Sequence, residues 1–330
     1  MEIIQVENLE KIFKIPVKRN GLLHSFKDLI RREWTIKVAL RDINLSINAG
    51  EIVGYIGPNG AGKSTTIKIL SGVLYPTSGK VLVNGIVPHK NRIENAKRIG
   101  LITGQKTALY WDLPVADTFE LMKRIYRIPT EKYKKNLDMF NDIMGIGAIL
   151  DVPVRQLSLG QRMRADIVAA LLHDPDIIYL DEPTIGLDIV AKDNVRDFIK
   201  AINKERGVTV IITSHDIADI ERLCHKVTVI DNGTLIYSGD IDNLKNKFNN
   251  QKGILRVLLD NVIDEIELPG CEIKSEDNYL HIYYDRTRNS PSLILTELLE
   301  KGYKVKDLSI NEQGLEEVVK EIYNSSVNYR

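Results

Sequence analysis

The run Gly57-Pro58-Asn59-Gly60-Ala61-Gly62-Lys63-Ser64-Thr65 constrains this chain more than any other segment, because it joins an apolar stretch, Ile52–Ile56, to the helix-like TIKILSGVL. It satisfies G-x-x-x-x-G-K-[ST] in a strand–loop–helix context. Its glycines let the backbone turn tightly, so that successive N–H groups and the start of the next helix converge on one point and attract phosphate oxygens. Lys63 supplies a cation for the β- and γ-phosphates of a nucleotide. Ser64 offers a hydroxyl to Mg²⁺, which keeps most of its octahedral shell from water and phosphate. A chance Gly-rich turn ahead of a helix is the competing explanation, and the order of residues argues against it.

The rest of the first two-thirds of the chain supplies a sheet for that loop. Short β-branched runs recur at Ile52–Ile56, Ile177–Leu180, Val208–Thr213 and Val227–Ile230, between helix-like stretches. Near-continuous apolar strands alternating with helices predict an α/β fold around a buried, mostly parallel sheet. The run Ile177–Leu180 ends in Asp181 and Glu182, at the strand end where open α/β sheets place ligands. Asp181 is a candidate to hold Mg²⁺ or its water shell, and Glu182 to polarise an attacking water as general base. Standing alone, such a pair would also read as an acidic helix cap.

At 330 residues the chain exceeds the size at which one hydrophobic core usually stops growing, so a large domain and a smaller one are expected. The texture turns polar and Asn/Lys-rich before NKFNNQKG, which predicts a first domain over 1–240, a linker over 241–253 and a small α+β domain over 254–330. Forty-five basic and 45 acidic residues cancel, whereas a nucleic-acid binder normally shows a basic excess. The longest apolar run, Ile167–Leu172, is far short of a membrane span, and the N-terminus MEIIQVENLEK has no secretory pattern. Cys224 and Cys271 are too few for a disulfide framework, so a cytoplasmic setting is expected.

Further motifs, in order, make the chain resemble the ATP-binding cassette (ABC) ATPases over roughly residues 1–240. Val154-Arg155-Gln156-Leu157-Ser158-Leu159-Gly160-Gln161-Arg162 resembles that family's signature loop, Thr184-Ile185-Gly186-Leu187-Asp188 its D-loop, and Thr213-Ser214-His215-Asp216 its switch histidine. Gln105, within LITGQKTALYWDLPVADTF, resembles the Q-loop glutamine, and Phe13 the aromatic that stacks on adenine. The resemblance implies a P-loop NTPase cassette with a helical signature subdomain, using ATP and Mg²⁺. It implies catalytic roles for Glu182, His215 and Gln105, and metal contacts for Ser64, Gln105 and Asp181. Phe13, Gly57 to Thr65, Ser158, Gly160, Gln161 and Asp188 would bind nucleotide. Two copies would sandwich ATP, each molecule held by one copy's phosphate loop and the other's signature loop, and would drive separate integral-membrane permease subunits from the inner face of the membrane. Ser158 and the N–H of Gly160 at a helix start agree with this, since they would form a second anion-binding surface.

Two departures stand out. Leu159 replaces the glycine common at the third signature position; a leucine does not adopt positive φ cheaply, so an ordinary backbone there is expected, with the side chain over the nucleotide or packed inward. Residues 15–37 read as an insertion which, if helical, gathers Leu22, Leu23, Phe26, Leu29, Ile30 and Trp34 on one face. That face would pack on its own domain, dock on a permease or lie at an anionic membrane surface. The terminal domain, with Gln313-Gly314-Leu315-Glu316-Glu317-Val318-Val319 resembling SLEEVF, is similar to the appendage of drug, antibiotic and polysaccharide exporter ATPases. An importer ATPase, or an ABC ATPase with no role in transport, would share the catalytic motifs. The single phosphate loop and neutral charge speak against the latter.

Overall fold

Four β-branched runs of the sequence become the centre of one sheet. The structure, a computed structural model, describes residues 1–16, 34–103, 106–249, 252–260, 266–276, 279–311 and 314–328. It falls into two compact units, Met1–Ser238 and Gly239–Arg330. In chain order the strands of the first unit are β1 (Glu2–Pro16), β2 (Trp34–Asn48), β3 (Ile52–Ile56), β4 (Ser78–Val83), β5 (Ile99–Thr103), β6 (Ile177–Asp181), β7 (Thr209–Thr213), β8 (Lys226–Asp231) and β9 (Thr234–Asp240), the last running on into the second unit.

The central sheet runs β5-β6-β7-β3-β8-β9, and the pairs β5–β6, β6–β7, β7–β3 and β3–β8 are parallel. Its middle strands are buried on both faces, as the unbroken apolar runs require: Tyr55, Ile177, Tyr179, Leu180, Ile211 and Ile212 are all nearly solvent-free. Strands β8 and β9 are joined through Asn232 and Gly233, both at positive φ, which matches the tight hairpin turn that Asn-Gly favours. A second, antiparallel sheet β2-β1-β4 packs into the same core through Ile4, Leu9, Leu40 and Ile43.

Between β5 and β6 the described residues form the α-helices Val115–Ile125, Thr130–Met144 and Leu159–Leu171. The last begins with a capping box: Ser158 Oγ accepts from Gln161 N at 3.2 Å while Gln161 Oε1 accepts from Ser158 N at 2.9 Å.

The structure bears on two expectations. Trp34 is not on a helix. It opens β2, opposite Pro16, in a pairing that continues through Ile15↔Thr35 and Phe13↔Lys37, so hairpin arms take up both ends of the 15–37 segment. The aromatic and β-branched run Trp34-Thr35-Ile36-Lys37-Val38 favours that extended form. Leu22, Leu23, Phe26, Leu29 and Ile30 lie outside the described residues. Within the segment 241–253, expected as a linker, the chain is helical over Ile241–Asn249. Ile241 and Leu244, one helical turn apart, are buried and anchor it despite its polar composition.

The second unit contains an antiparallel sheet of β10 (Lys252–Leu259), β11 (Cys271–Glu276), β12 (Tyr279–Asp285) and β13 (Val305–Asn311), ordered β11-β12-β10-β13. Leu255, Val257, Ile282 and Tyr284 on one face pack with Ile294 and Leu298 of the helix Pro291–Glu300. The helices Ile241–Asn249 and Leu315–Asn328 pack together.

Candidate functional site

At the end of β3 the chain turns through Gly57–Gly62 into the helix Lys63–Leu70. The glycines answer to two different constraints. A Cβ on Gly57 would fall 2.4 Å from the Ile230 carbonyl oxygen, so close packing on β8 excludes a side chain. Gly62 adopts φ +115° immediately ahead of the helix, a conformation that L side chains rarely adopt. Lys63 folds back so that its ammonium donates to the Gly57 carbonyl at 2.5 Å and the Pro58 carbonyl at 3.3 Å. Burial pulls the pKa of that ammonium down, and the carboxylates of Glu182 and Asp181 recover part of the shift.

Strands β6 and β7 deliver the acidic groups. Asp181 and Thr213 are register partners; Thr213 Oγ1 donates to Asp181 Oδ1 at 2.5 Å, and Ser64 Oγ donates to Asp181 Oδ2 at 3.3 Å. A hydroxyl beside a carboxylate fits Mg²⁺, which binds through one or two protein ligands and its own waters. Among the described residues no group of three or more His, Cys, Asp or Glu side chains could hold a metal, and Mg²⁺ with phosphate needs none. Glu182 sits at φ 58°, unusual for a residue with a side chain, and its Oε1 lies 2.6 Å from His215 Nε2, where the ring nitrogen donates to the carboxylate.

The sequence-predicted residues assemble in two separate cavities. Phe13, Pro58, Asn59, Gly60, Gly62, Lys63, Ser64, Thr65 and Glu182 line the first, with Ala61 buried in the same loop. Ser158, Gly160, Gln161 and Asp188 line the second. Among the described residues none lines both. In the second cavity Leu159 has ordinary helical backbone and is half-buried; its Cδ2 lies 3.0 Å from where a Cβ on Gly186 would stand, so it packs against the Thr184–Asp188 turn. Asp188 caps the helix Ile189–Arg206, its Oδ1 accepting from Ala191 N at 2.8 Å. Gln105 lies outside the described residues.

Several participants escaped sequence reading. Ile15, Lys37 and Ala39 also line the first cavity; Lys37 gets there as the cross-strand partner of Phe13, a register that no local pattern announces. Gln161 as a capping-box residue was legible in S-x-x-Q. Asp166, on the helix that starts at Ser158, accepts from Thr107 Oγ1 at 2.8 Å and Ala108 N at 2.9 Å. Burial pushes its pKa up, and those two hydrogen bonds offset part of the shift.

A sequence profile described as "ABC transporter" matches residues 40–185. The chain is 34% identical over 206 residues to the ABC transporter ATP-binding protein NatA of Bacillus subtilis (strain 168), covering 62% of this chain and 83% of that protein. It is 36% identical over 206 residues to the bacitracin transport ATP-binding protein BcrA of Bacillus licheniformis, covering 62% and 66% respectively. Similarity to the methionine import ATP-binding protein MetN 2 of Enterococcus faecalis (strain ATCC 700802 / V583) is 32% over 249 residues, 72% of each chain. Among solved structures, a dimeric ATP-binding cassette in a post-hydrolysis state with ADP and Pi matches with TM-score 0.59 and 26% identity, over 72% of this chain and 98% of that one.

Proposed function

The chain belongs to the ABC transporter ATP-binding family and is an ATPase of that family, and from that premise we propose that two copies close ATP between the Lys63 loop of one and the Ser158 helix start of the other. The observation that carries this is the division of the nucleotide-binding residues between two cavities of one chain. A helix N-terminus attracts phosphate, yet the Ser158 helix start shares no lining residue with the cavity that holds Lys63 and Glu182, so a second copy is the natural source of the missing half.

In this mechanism Phe13 stacks on adenine, the Gly57–Thr65 amides and Lys63 hold the β- and γ-phosphates, and Ser64 with Asp181 would hold Mg²⁺. The metal, when bound, spreads the phosphate charge. Glu182 accepts a proton from the water whose oxygen attacks the γ-phosphorus, while the bond from that phosphorus to the leaving oxygen of ADP breaks. His215 holds the Glu182 carboxylate and contacts the γ-phosphate. Gln105 reports nucleotide state toward the membrane partner.

ATP turnover would drive separate permease subunits, with this chain peripheral on the inner face of the membrane. No helix among the described residues is long and apolar enough to cross a membrane. An apolar cleft lined by Val73, Ala96, Ala108, Met122 and Tyr126, with Tyr110, Trp111 and Leu113 exposed nearby in sequence, supports permease docking. Export is the favoured direction because the run 313–319 resembles the SLEEVF run of exporter appendages and the relative BcrA is named for bacitracin transport; the similarity to MetN 2 makes import the alternative. ATP-driven substrate movement in membrane vesicles of known orientation separates the two.

The central test is Glu182→Gln. ATP binding should persist while turnover falls by about 10²–10⁴ and an ATP-bound dimer accumulates in size-exclusion chromatography with light scattering. Near-wild-type hydrolysis overturns the assignment of the base.

A further inference from the structure

Glu182 and His215 meet across the ends of two neighbouring strands, and the sheet stops guiding the chain at that point. Register pairing fixes the backbone through Asp181 and Thr213, and one further hydrogen bond, Glu182 N to Thr213 O at 3.0 Å, extends it. Beyond lie a turn on one side and the helix Ile217–Leu223 on the other. Glu182 also holds φ 58°, a backbone state that costs a non-glycine residue about 1–3 kcal/mol and persists only when its surroundings over-determine it.

A buried three-residue cluster does that work. Asp219, four positions after His215, is fully buried, as are Thr184 (2% exposed), two positions after Glu182, and Arg196 (8% exposed) on the helix Ile189–Arg206. Thr184 Oγ1 donates to Asp219 Oδ2 at 2.5 Å; Arg196 donates from Nε to Asp219 Oδ1 at 2.9 Å and from Nη2 to the same oxygen. Arg196 Nη1 reaches back to Asp193, and Lys192, one turn earlier on that helix, pairs with Asp216 at 2.6 Å. The buried Asp219 carboxylate thus ties the loop after Glu182 to the helix after His215, and a half-exposed ion pair ties the start of that helix to the helix Ile189–Arg206. None of the three buried residues lines the nucleotide cavity.

We infer that Asp219, Thr184 and Arg196 form a positioning unit that holds the Glu182 carboxylate against His215, and that the Thr184–Asp219 hydrogen bond sets the turnover number without contributing to nucleotide affinity. This rests on Glu182 as the base. The competing account is an ordinary buried ion pair that only stabilises the fold, and the two differ in what Thr184 does. The hydroxyl is small, neutral and outside the lining of the nucleotide cavity, so its loss should leave the Arg196–Asp219 pair in place while freeing the Glu182 turn.

The experiment compares Thr184→Val, which keeps shape and removes the hydroxyl, with Thr184→Ser, which keeps the hydroxyl. Both are measured on the full chain below the melting transition, beside Glu182→Gln as control. Thr184→Val should lower kcat by about 10- to 100-fold, the scale of a misplaced catalytic group, with the equilibrium affinity for ATP unchanged within about twofold. Thr184→Ser should return kcat to within about threefold of wild type. If Thr184→Val does not fold, Arg196→Lys, which keeps the cation but loses the fork, takes its place with the same expected split. Wild-type kcat in the folded variant, an equal loss of ATP affinity, or no rescue by serine overturns the positioning role. When Glu182→Gln is inactive and Thr184→Val is not impaired, only the positioning unit fails; when Glu182→Gln is itself active, the assignment of the base has failed.

Discussion

Each of the two cavities of the first unit opens at a helix start, a place that attracts phosphate, but the two are built differently. Around the Gly57–Thr65 loop three charged groups already have protein partners: Lys63 on two carbonyls, Asp181 between Ser64 and Thr213, Glu182 on His215. The groups are fixed before a ligand arrives, so little ordering remains to oppose binding. At Ser158 the polar groups satisfy one another in a capping box, and the acidic side chain beside them, Asp188, caps its own helix. Arg164, which also lines that cavity, donates to the Met144 carbonyl. Both cavities thus carry a cation engaged by backbone carbonyls, but Lys63 is the first residue of its helix whereas Arg164 lies six positions beyond Ser158. On the proposed division of ATP between two copies, the first would capture a nucleotide alone and the second would add to a nucleotide already held.

The sharpest way to break that contrast is to remove the cation. Lys63→Ala should weaken equilibrium binding of labelled ATP to the single subunit by about 10- to 150-fold, since a hydrogen bond to a charged group contributes about 1.5–3 kcal/mol. Ser158→Ala should leave the same affinity within about twofold. Comparable losses from both variants would show that one chain uses both cavities on a single nucleotide.

A second prediction concerns the seam between the Ser158 helix and the sheet. Just past that helix His173 stacks on Tyr126, with ring centroids 3.9 Å apart, and its Nε2 donates to the Ile99 carbonyl at 3.0 Å. Its Nδ1 is buried without a partner. Burial pushes the imidazole down from its ordinary 6.5 to about 4, the Ile99 carbonyl and Asp174 opposing. The folded state therefore keeps the ring neutral while the unfolded chain protonates. Stability from this group is complete above pH 6.5 and is lost as pH falls toward 4, by at most about 3 kcal/mol. Urea midpoints across that window should show the slope, and His173→Phe should flatten it.

Smaller effects should distinguish the two helix starts. Loss of the Ser158 cap should cost about 1 kcal/mol of stability, read as a lower melting temperature, and should weaken ATP-driven dimerisation. Leu159→Gly should cost less than about 1 kcal/mol, because the side chain is half-buried and touches the Thr184–Asp188 turn instead of filling a core.

Most of the first cavity was legible because its chemistry is contiguous: one loop, one strand end and one histidine after a strand, each announced by its own short run. The apolar runs of β3, β6, β7 and β8 likewise declare a doubly covered sheet. What stayed hidden depends on partners far along the chain. Lys37 enters the cavity through hairpin register with Phe13. Asp219 reaches Thr184 and Arg196 across 35 and 23 positions. Trp34 fits a helical face in the sequence only if its segment is helical, because apolar spacing alone cannot distinguish an amphipathic face from the arm of a long hairpin. The 241–249 helix was missed because its composition is polar, although Ile241 and Leu244 are placed to anchor it.

The Asp166 contacts turn the signature helix into a rod with a fixed grip. Thr107 and Ala108, the second and third residues after Gln105, are held by a carboxylate eight positions along from Ser158, about 12 Å of axial length at a rise of 1.5 Å per residue. An α-helix scarcely compresses or bends over that distance. A tilt or slide imposed on residues 107–108 while the grip holds therefore reappears at the Ser158 tip as leverage, with no relay of intervening side chains required.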